Sequence, residues 1–196
     1  MIASSVFRAL TLLSVMVSSF VLAEDEESTS KWNWQSVSGT AIHYFDDQPG
    51  RNVIIHNVIP TETGIQQSST ETIDLFGDIH GRVLYQPETV IDEVAGTLTN
   101  TGNQVFSGTI LGVGPVLLHD ELFRFDVNLQ TGETVGTAFL LDRIDGPRAI
   151  CVLKINGTGF DDNGNGLAEY EGRCRIGRMP NSSLIEQEFS LSSIVP

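Results

Sequence analysis

Of the 196 residues only 2 are cysteine and 4 are histidine, and 11 lysines and arginines stand against 25 aspartates and glutamates. The shortage of positive charge, a formal net charge of −14 at pH 7, argues against a surface built to neutralise phosphate backbones or anionic lipid. Nucleic acid and the membrane surface are therefore not expected partners. Missing too are a Gly-x-Ser-x-Gly elbow, a P-loop and a Cys–His nucleophile pair, so familiar hydrolase and transferase chemistry finds no support. The histidines His43, His56, His80 and His119 share no metal-ligand spacing. No segment keeps an apolar period of 3.6 residues between helix caps, which makes helix a minor component. Beyond residue 22 no apolar run is long enough to span a bilayer.

What is present begins with a leader. Arg8 supplies a basic start, Ala9 to Leu22 carry no charge, and Val21-Leu22-Ala23 place small residues before the acidic Glu24-Asp25-Glu26-Glu27. This is the pattern of a secretory signal peptide over residues 1–23. Its apolar run of about 14 residues falls short of the roughly 20 that an anchor needs. The expected location is therefore secreted or periplasmic, with no membrane span once the leader is cleaved. Residues 24–37 form an acidic, Ser-rich linker whose Trp32 and Trp34 can dock on the domain. A single domain is expected over 38–178, and a polar tail over 179–196. Asn156-Gly157-Thr158 and Asn181-Ser182-Ser183 match the glycosylation acceptor pattern.

From Ser38 onward the chain reads as short β-rich runs punctuated by Gly, Asn and Asp. Strands are predicted over 39–44, 52–59, 70–76, 81–86, 94–99, 104–111, 122–128, 134–142, 148–156 and 168–176. Hairpin turns are predicted at Asn100-Thr101-Gly102-Asn103, Gln130-Thr131-Gly132 and Asp145-Gly146, where residues tolerant of positive φ interrupt apolar alternation. The expected fold is all-β, an antiparallel meander of about 8–10 strands that closes into a barrel, with a two-layered sandwich as the alternative.

In an oxidising compartment Cys151 and Cys174 read as a disulfide. Closing a loop of about 24 residues stabilises a fold by roughly 3 kcal/mol in the chain-entropy view. If the flanking strands pair antiparallel, Asn156 falls opposite Glu169, and the segment from Gly157 to Ala168 becomes the connection. Within it, Asp161-Asp162-Asn163-Gly164-Asn165-Gly166-Leu167-Ala168-Glu169 resembles the first nine positions of an EF-hand-type calcium loop. Asp161, Asn163 and Asn165 would offer side-chain oxygens and Leu167 a carbonyl. Position 12, which should hold the bidentate carboxylate, is Gly172, so an Asn-Gly-rich hairpin loop is the competing reading. Calcium is the one cation this chain would hold, and no other cofactor is expected.

Gly77-Asp78-Ile79-His80-Gly81 matches a metal-binding string of metallophosphoesterases. The Asp-Arg-Gly and Asn-His-Glu blocks that complete such a site are absent from the chain. The string reads as a turn between strands with His80 exposed. His119-Asp120-Glu121 reads as a solvated loop.

The stretch from Gly96 to Ile176 resembles the allene oxide cyclase and dirigent barrel superfamily. The features are Phe106-Ser107-Gly108, Phe123-Arg124-Phe125-Asp126, Thr131-Gly132-Glu133-Thr134-Val135-Gly136-Thr137, and Asn156-Gly157-Thr158-Gly159-Phe160 leading to Tyr170-Glu171-Gly172. The chain departs in having Asn156 at a position where glycine is usual and an Asp/Asn-rich insertion after Phe160. The resemblance implies eight antiparallel strands around an apolar cavity. It also implies steering of a reactive apolar intermediate, as in a cyclase or isomerase, by shape and a few polar groups. The matching motifs are turns, so no catalytic residue carries over. Two functions follow as expectations: an exported barrel that binds an apolar small molecule, or a non-enzymatic, acidic, calcium-stabilised surface or matrix module.

Overall fold

The computed structural model describes residues 33–45 and 53–177. The leader, Trp32, most of the linker, Asn181 and the tail over 179–196 lie outside the described residues. Eleven strands and no helix are found among them: β1 (Gln35–Tyr44), β2 (Ile54–Pro60), β3 (Gly64–Gly77), β4 (Ile79–Asp92), β5 (Thr97–Ile110), β6 (Val113–Asp120), β7 (Arg124–Asn128), β8 (Thr134–Leu140), β9 (Asp142–Asp145), β10 (Ala149–Phe160) and β11 (Gly166–Ile176).

All pairings are antiparallel. Around the ring β1 joins β11, then β10, β8, β7, β5, β4 and β3, which returns to β1. This is a closed eight-stranded barrel with three additional strands, β2, β6 and β9, and the sandwich alternative is set aside. Alternation explains the closure. Val83, Tyr85, Thr89 and Ile91 on β4 face inward, whereas Leu84, Gln86, Glu88 and Val90 between them are exposed, so one face of each strand is committed to an interior.

The added strands arise because β3 and β5 outrun their neighbours. The edge of β3 is shared between β1, which pairs residues 72–77, and β2, which pairs 65–70. The edge of β5 is likewise divided between β7 and β6. Between β6 and β7 the chain breaks at 121–123, opening the ladder where Leu122 would face Phe139. The Asp120 carboxylate fills that gap. It accepts the Leu122 and Phe139 amides, each at 2.7 Å, and Gln104 Nε2 at 2.7 Å. Asp120 is 1% exposed. Burial, the largest influence, raises its pKa against the lowering effect of these donors.

Several sequence expectations are corrected here. Asn100-Thr101-Gly102-Asn103 is no turn: β5 runs straight through it, with Gly102 opposite Pro87 of β4. Gly102 has φ +142, and a Cβ there would strike the Gln86 carbonyl, so the glycine serves close strand approach. The turn lies instead at 93–96, where Gly96 takes φ +67 and Asp92 Oδ1 accepts the Ala95 amide. His119 and Asp120 belong to β6 rather than to a loop, with His119 Nε2 at 3.2 Å from Asn103 Oδ1. The Gln130-Thr131-Gly132 turn does join β7 to β8. The Asp145-Gly146 turn joins strands that do not pair, since β9 lies on β6 and β10 on β8. β1 starts before Ser38, and its Val37 is core. Trp34 lies under the guanidinium groups of Arg173 and Arg175, at 4.9 and 4.3 Å, which fastens the chain entering β1 to β11.

The Cys151–Cys174 disulfide is formed, and the two cysteines are direct partners in the β10–β11 ladder, which also sets Asn156 opposite Glu169. The strands run further than expected, past a bulge at 157–159, so the connection is only 161–165. A disulfide is compatible with an oxidising, extracytoplasmic location.

One end of the barrel is filled. Ile79, Phe106, Ile110, Leu118, Ala149 and both cysteines are fully buried there. The Tyr170 hydroxyl closes the β3–β4 turn beside them. It accepts the Ile79 amide at 2.9 Å and lies 3.0 and 3.2 Å from the carbonyls of Ile79 and Phe76. Any side chain at Gly39 would collide with that hydroxyl. The filled end leaves the opposite end to hold the site.

Candidate functional site

Between this packed end and the turns at 93–96, 129–133 and 161–165 lies a cavity of about 420 Å³, within the usual range of small-molecule pockets. Its wall is divided. Phe125 of β7, Ala138 and Leu140 of β8, Leu153 and Ile155 of β10, and Ala168 of β11 form an apolar half. Space for the Phe125 ring comes from Gly136, its cross-strand neighbour, where any Cβ would overlap the ring. Facing this half, β1, β3, β4 and β5 set His43, Glu71, Tyr85, Asn100 and Gln104 among apolar side chains such as Ile73, Val83 and Leu98. Ladder register brings three of these to one level. Glu71 is directly opposite Tyr85, and Tyr85 directly opposite Gln104, so one level of the barrel carries a belt of polar groups. Phe45, Leu129 and Phe160 line the mouth and are exposed, Phe160 to 70%.

Glu71 is the centre of the belt. Its Oε2 is 2.5 Å from His43 Nε2, and its Oε1 accepts the Ser69 hydroxyl at 2.5 Å. His43 Nε2 is buried against this carboxylate. Burial, the largest influence on this carboxyl, favours the neutral form. The hydrogen bond and charge of His43, with the Ser69 hydroxyl, together outweigh it and hold the pKa below the usual value. Tyr85 is 1% exposed. Burial first, and the Glu71 charge second, push its pKa well above the ordinary value, with the Asn100 side chain hydrogen-bonded to it as a smaller opposing effect. Tyr85 therefore stays a neutral phenol and a hydrogen-bond donor. Asn100 Oδ1 is buried with no hydrogen-bond partner among the described residues, an acceptor left open beside the cavity.

The depressed Glu71 pKa makes stability depend on pH in a known sense. The ionised carboxyl stabilises the fold above its unfolded pKa, about 4.3, and that contribution is lost as pH falls through the lower folded value. Glu71→Gln is expected to be less stable than the parent at neutral pH and to lose less of its stability between about pH 5 and pH 3. Urea unfolding across that interval checks it, and parallel pH profiles would contradict it.

Most of the residues singled out from sequence lie elsewhere. Asp161 Oδ1 accepts the amides of Asn163 and Asn165 at 2.8 and 2.9 Å, and its Oδ2 accepts Asn165 Nδ2 at 3.1 Å. Asn165 Oδ1 accepts the Phe45 amide at 3.0 Å. These oxygens therefore brace the β10–β11 turn and tie it to the end of β1, while Asn163 is exposed and Leu167 lines the cavity. The Gly77–Gly81 string is the β3–β4 turn, with Asp78 Oδ2 accepting the Ser38 amide and His80 exposed.

His43, Glu71, Tyr85, Asn100 and Gln104 were not picked out by motif. One signal for them was present: each is polar at a position whose neighbours two residues away include inward apolar groups, as with Glu71 beside Ile73 or Gln104 beside Phe106. Searches against known proteins find no matching family model, no matching curated protein and no matching solved structure.

Proposed function

We propose that this protein is an exported barrel that takes up a predominantly apolar small molecule bearing one polar end, and that its likeness to the allene oxide cyclase and dirigent barrels reflects a shared use of the cavity. The observation that carries the reading is the division of the cavity wall into an apolar half and a polar belt. A ligand lying across it buries hydrocarbon against Phe125, Ala138, Leu153 and Ile155, gaining about 25 cal/mol for each Å² removed from water. Its polar end meets the Tyr85 hydroxyl and the open Asn100 acceptor. A hydroxyl on the ligand would complete the latter and relieve a group that is costly to leave unpaired. Entry is through the mouth at Phe45, Leu129 and Phe160, whose exposed rings and side chain suit first contact with an apolar solute.

The test is binding of the neutral fluorophore N-phenylnaphthylamine, with and without Ala138→Phe. Ala138 is buried and faces the cavity, so the added ring occupies ligand space. The parent protein is expected to enhance the fluorescence saturably. The variant should bind about tenfold more weakly or worse, a loss of at least ~1.4 kcal/mol, while still melting cooperatively. Equal binding by both proteins would place the probe outside the cavity and remove the basis of the reading.

A further inference from the structure

The cavity holds more acid–base machinery than binding an apolar molecule requires. A buried carboxylate, an imidazole against it and a neutral phenol lie on three neighbouring strands and all border one space. His43 and Tyr85 meet edge to face with ring centroids 5.6 Å apart, and Glu71 lies opposite Tyr85 in the ladder. The Ser69 hydroxyl secures the far oxygen of Glu71. With Glu71 against Nε2, the imidazole is set to carry its proton there, which leaves Nδ1 as the basic nitrogen.

We infer that His43, oriented by Glu71 and working with Tyr85, is a proton-transfer centre for an apolar ketone held in the cavity. The inference rests on the ligand-binding reading above. His43 removes a proton from the carbon next to the carbonyl. The C–H bonding pair moves into a carbon–carbon double bond, and the carbonyl π pair moves onto oxygen. The Tyr85 O–H donates to that oxygen, and its raised pKa keeps its proton in place at neutral pH. The imidazolium formed is balanced by the Glu71 carboxylate beside it.

In a β,γ-unsaturated ketone the same proton returns at the γ carbon. The carbonyl re-forms, the double bond moves into conjugation, and His43 is neutral again. Neither oxidant nor reductant is consumed, and no net proton is taken up. The titratable groups on the cavity wall besides His43 are Glu71, Tyr85 and Tyr170, whose hydroxyl is held in the β3–β4 turn; the remaining wall is apolar, amide or hydroxyl.

The probe is β-tetralone, an apolar ketone with acidic α-protons, incubated with the protein in D2O and followed by proton NMR for loss of the α-proton signal. The parent is expected to catalyse exchange saturably. His43→Ala should lower the rate by about a hundredfold and Tyr85→Phe by about tenfold, the scale of general acid–base contributions. N-phenylnaphthylamine binding is read in parallel. If His43→Ala fails to bind the fluorophore, Tyr85→Phe, which keeps the buried ring, decides in its place. Fluorophore binding by the parent with no exchange above that of Ala138→Phe overturns the proton-transfer inference alone. Absence of fluorophore binding by the parent overturns the binding reading and this inference together. Exchange that persists unchanged in both His43→Ala and Tyr85→Phe also overturns it.

Discussion

Replacement of Asp120 by alanine is expected to destabilise the barrel by about 4 kcal/mol, since three donors lose a buried acceptor. The donors are the amides of Leu122 and Phe139 and the side chain of Gln104. The two amides have no ladder partner to fall back on, because the break between β6 and β7 separates the backbone groups that would have paired. For a domain of this size the loss corresponds to a fall in Tm of roughly 10 °C or more. Asp120→Asn retains the volume and one carbonyl oxygen but turns an NH2 group toward an amide, so it should recover less than half of the loss. Urea unfolding of the three proteins provides the comparison. A cost for alanine of only about 1 kcal/mol, the average for any substitution, would show that water or a shift of the strands satisfies the amides.

The second large effect belongs to the disulfide. Removing it as Cys151→Ala with Cys174→Ala is expected to cost about 3 kcal/mol for the lost cross-link, plus the contacts of two sulfurs buried at 0% exposure. The parent measured in reducing agent should lose the cross-link but keep the sulfurs in place, so its melting point should lie between those of the oxidised parent and the alanine pair. Thermal melts followed by circular dichroism distinguish the three. Coincident curves for the oxidised and reduced parent would mean that the β10–β11 ladder alone already restrains the unfolded chain.

Legibility of this fold in its sequence followed the period-2 signal. Where alternation is strict, as along Phe123 to Asn128, or where two independent cues coincide, as with the cysteine pair and the 161–165 turn, strand and register were recoverable. The failures share one cause. At Asn100 to Asn103, and at Gly114-Pro115 within β6, residues typical of turns occupy strands, because a narrow barrel needs glycine where strands crowd or bend. Local chemistry cannot distinguish a glycine that turns the chain from one that lets a neighbour approach.

The site was legible only in retrospect. Glu71, Tyr85 and Gln104 are far apart in sequence, and each alone is an ordinary strand residue. What unites them is the register of β3, β4 and β5, which no motif encodes. The calcium-like string drew attention because its residues are adjacent, yet its carboxylate and its Asn165 amide are spent on the turn that carries them.

The meeting of β1 with β11 has a consequence for how the molecule is assembled. Every other seam of the ring joins strands that are consecutive or one strand apart, but this one unites the first strand with the last among the described residues. The hairpins β3–β4, β4–β5 and β10–β11 can form as they emerge, whereas the ring has no complete wall until residue 174 is available to lie against Gln35. Folding therefore waits on the longest loop closure in the chain, which predisposes it to slow, non-local kinetics. Until that moment the apolar half of the cavity is an open surface, and the enclosed hollow is the last feature of the barrel to come into being.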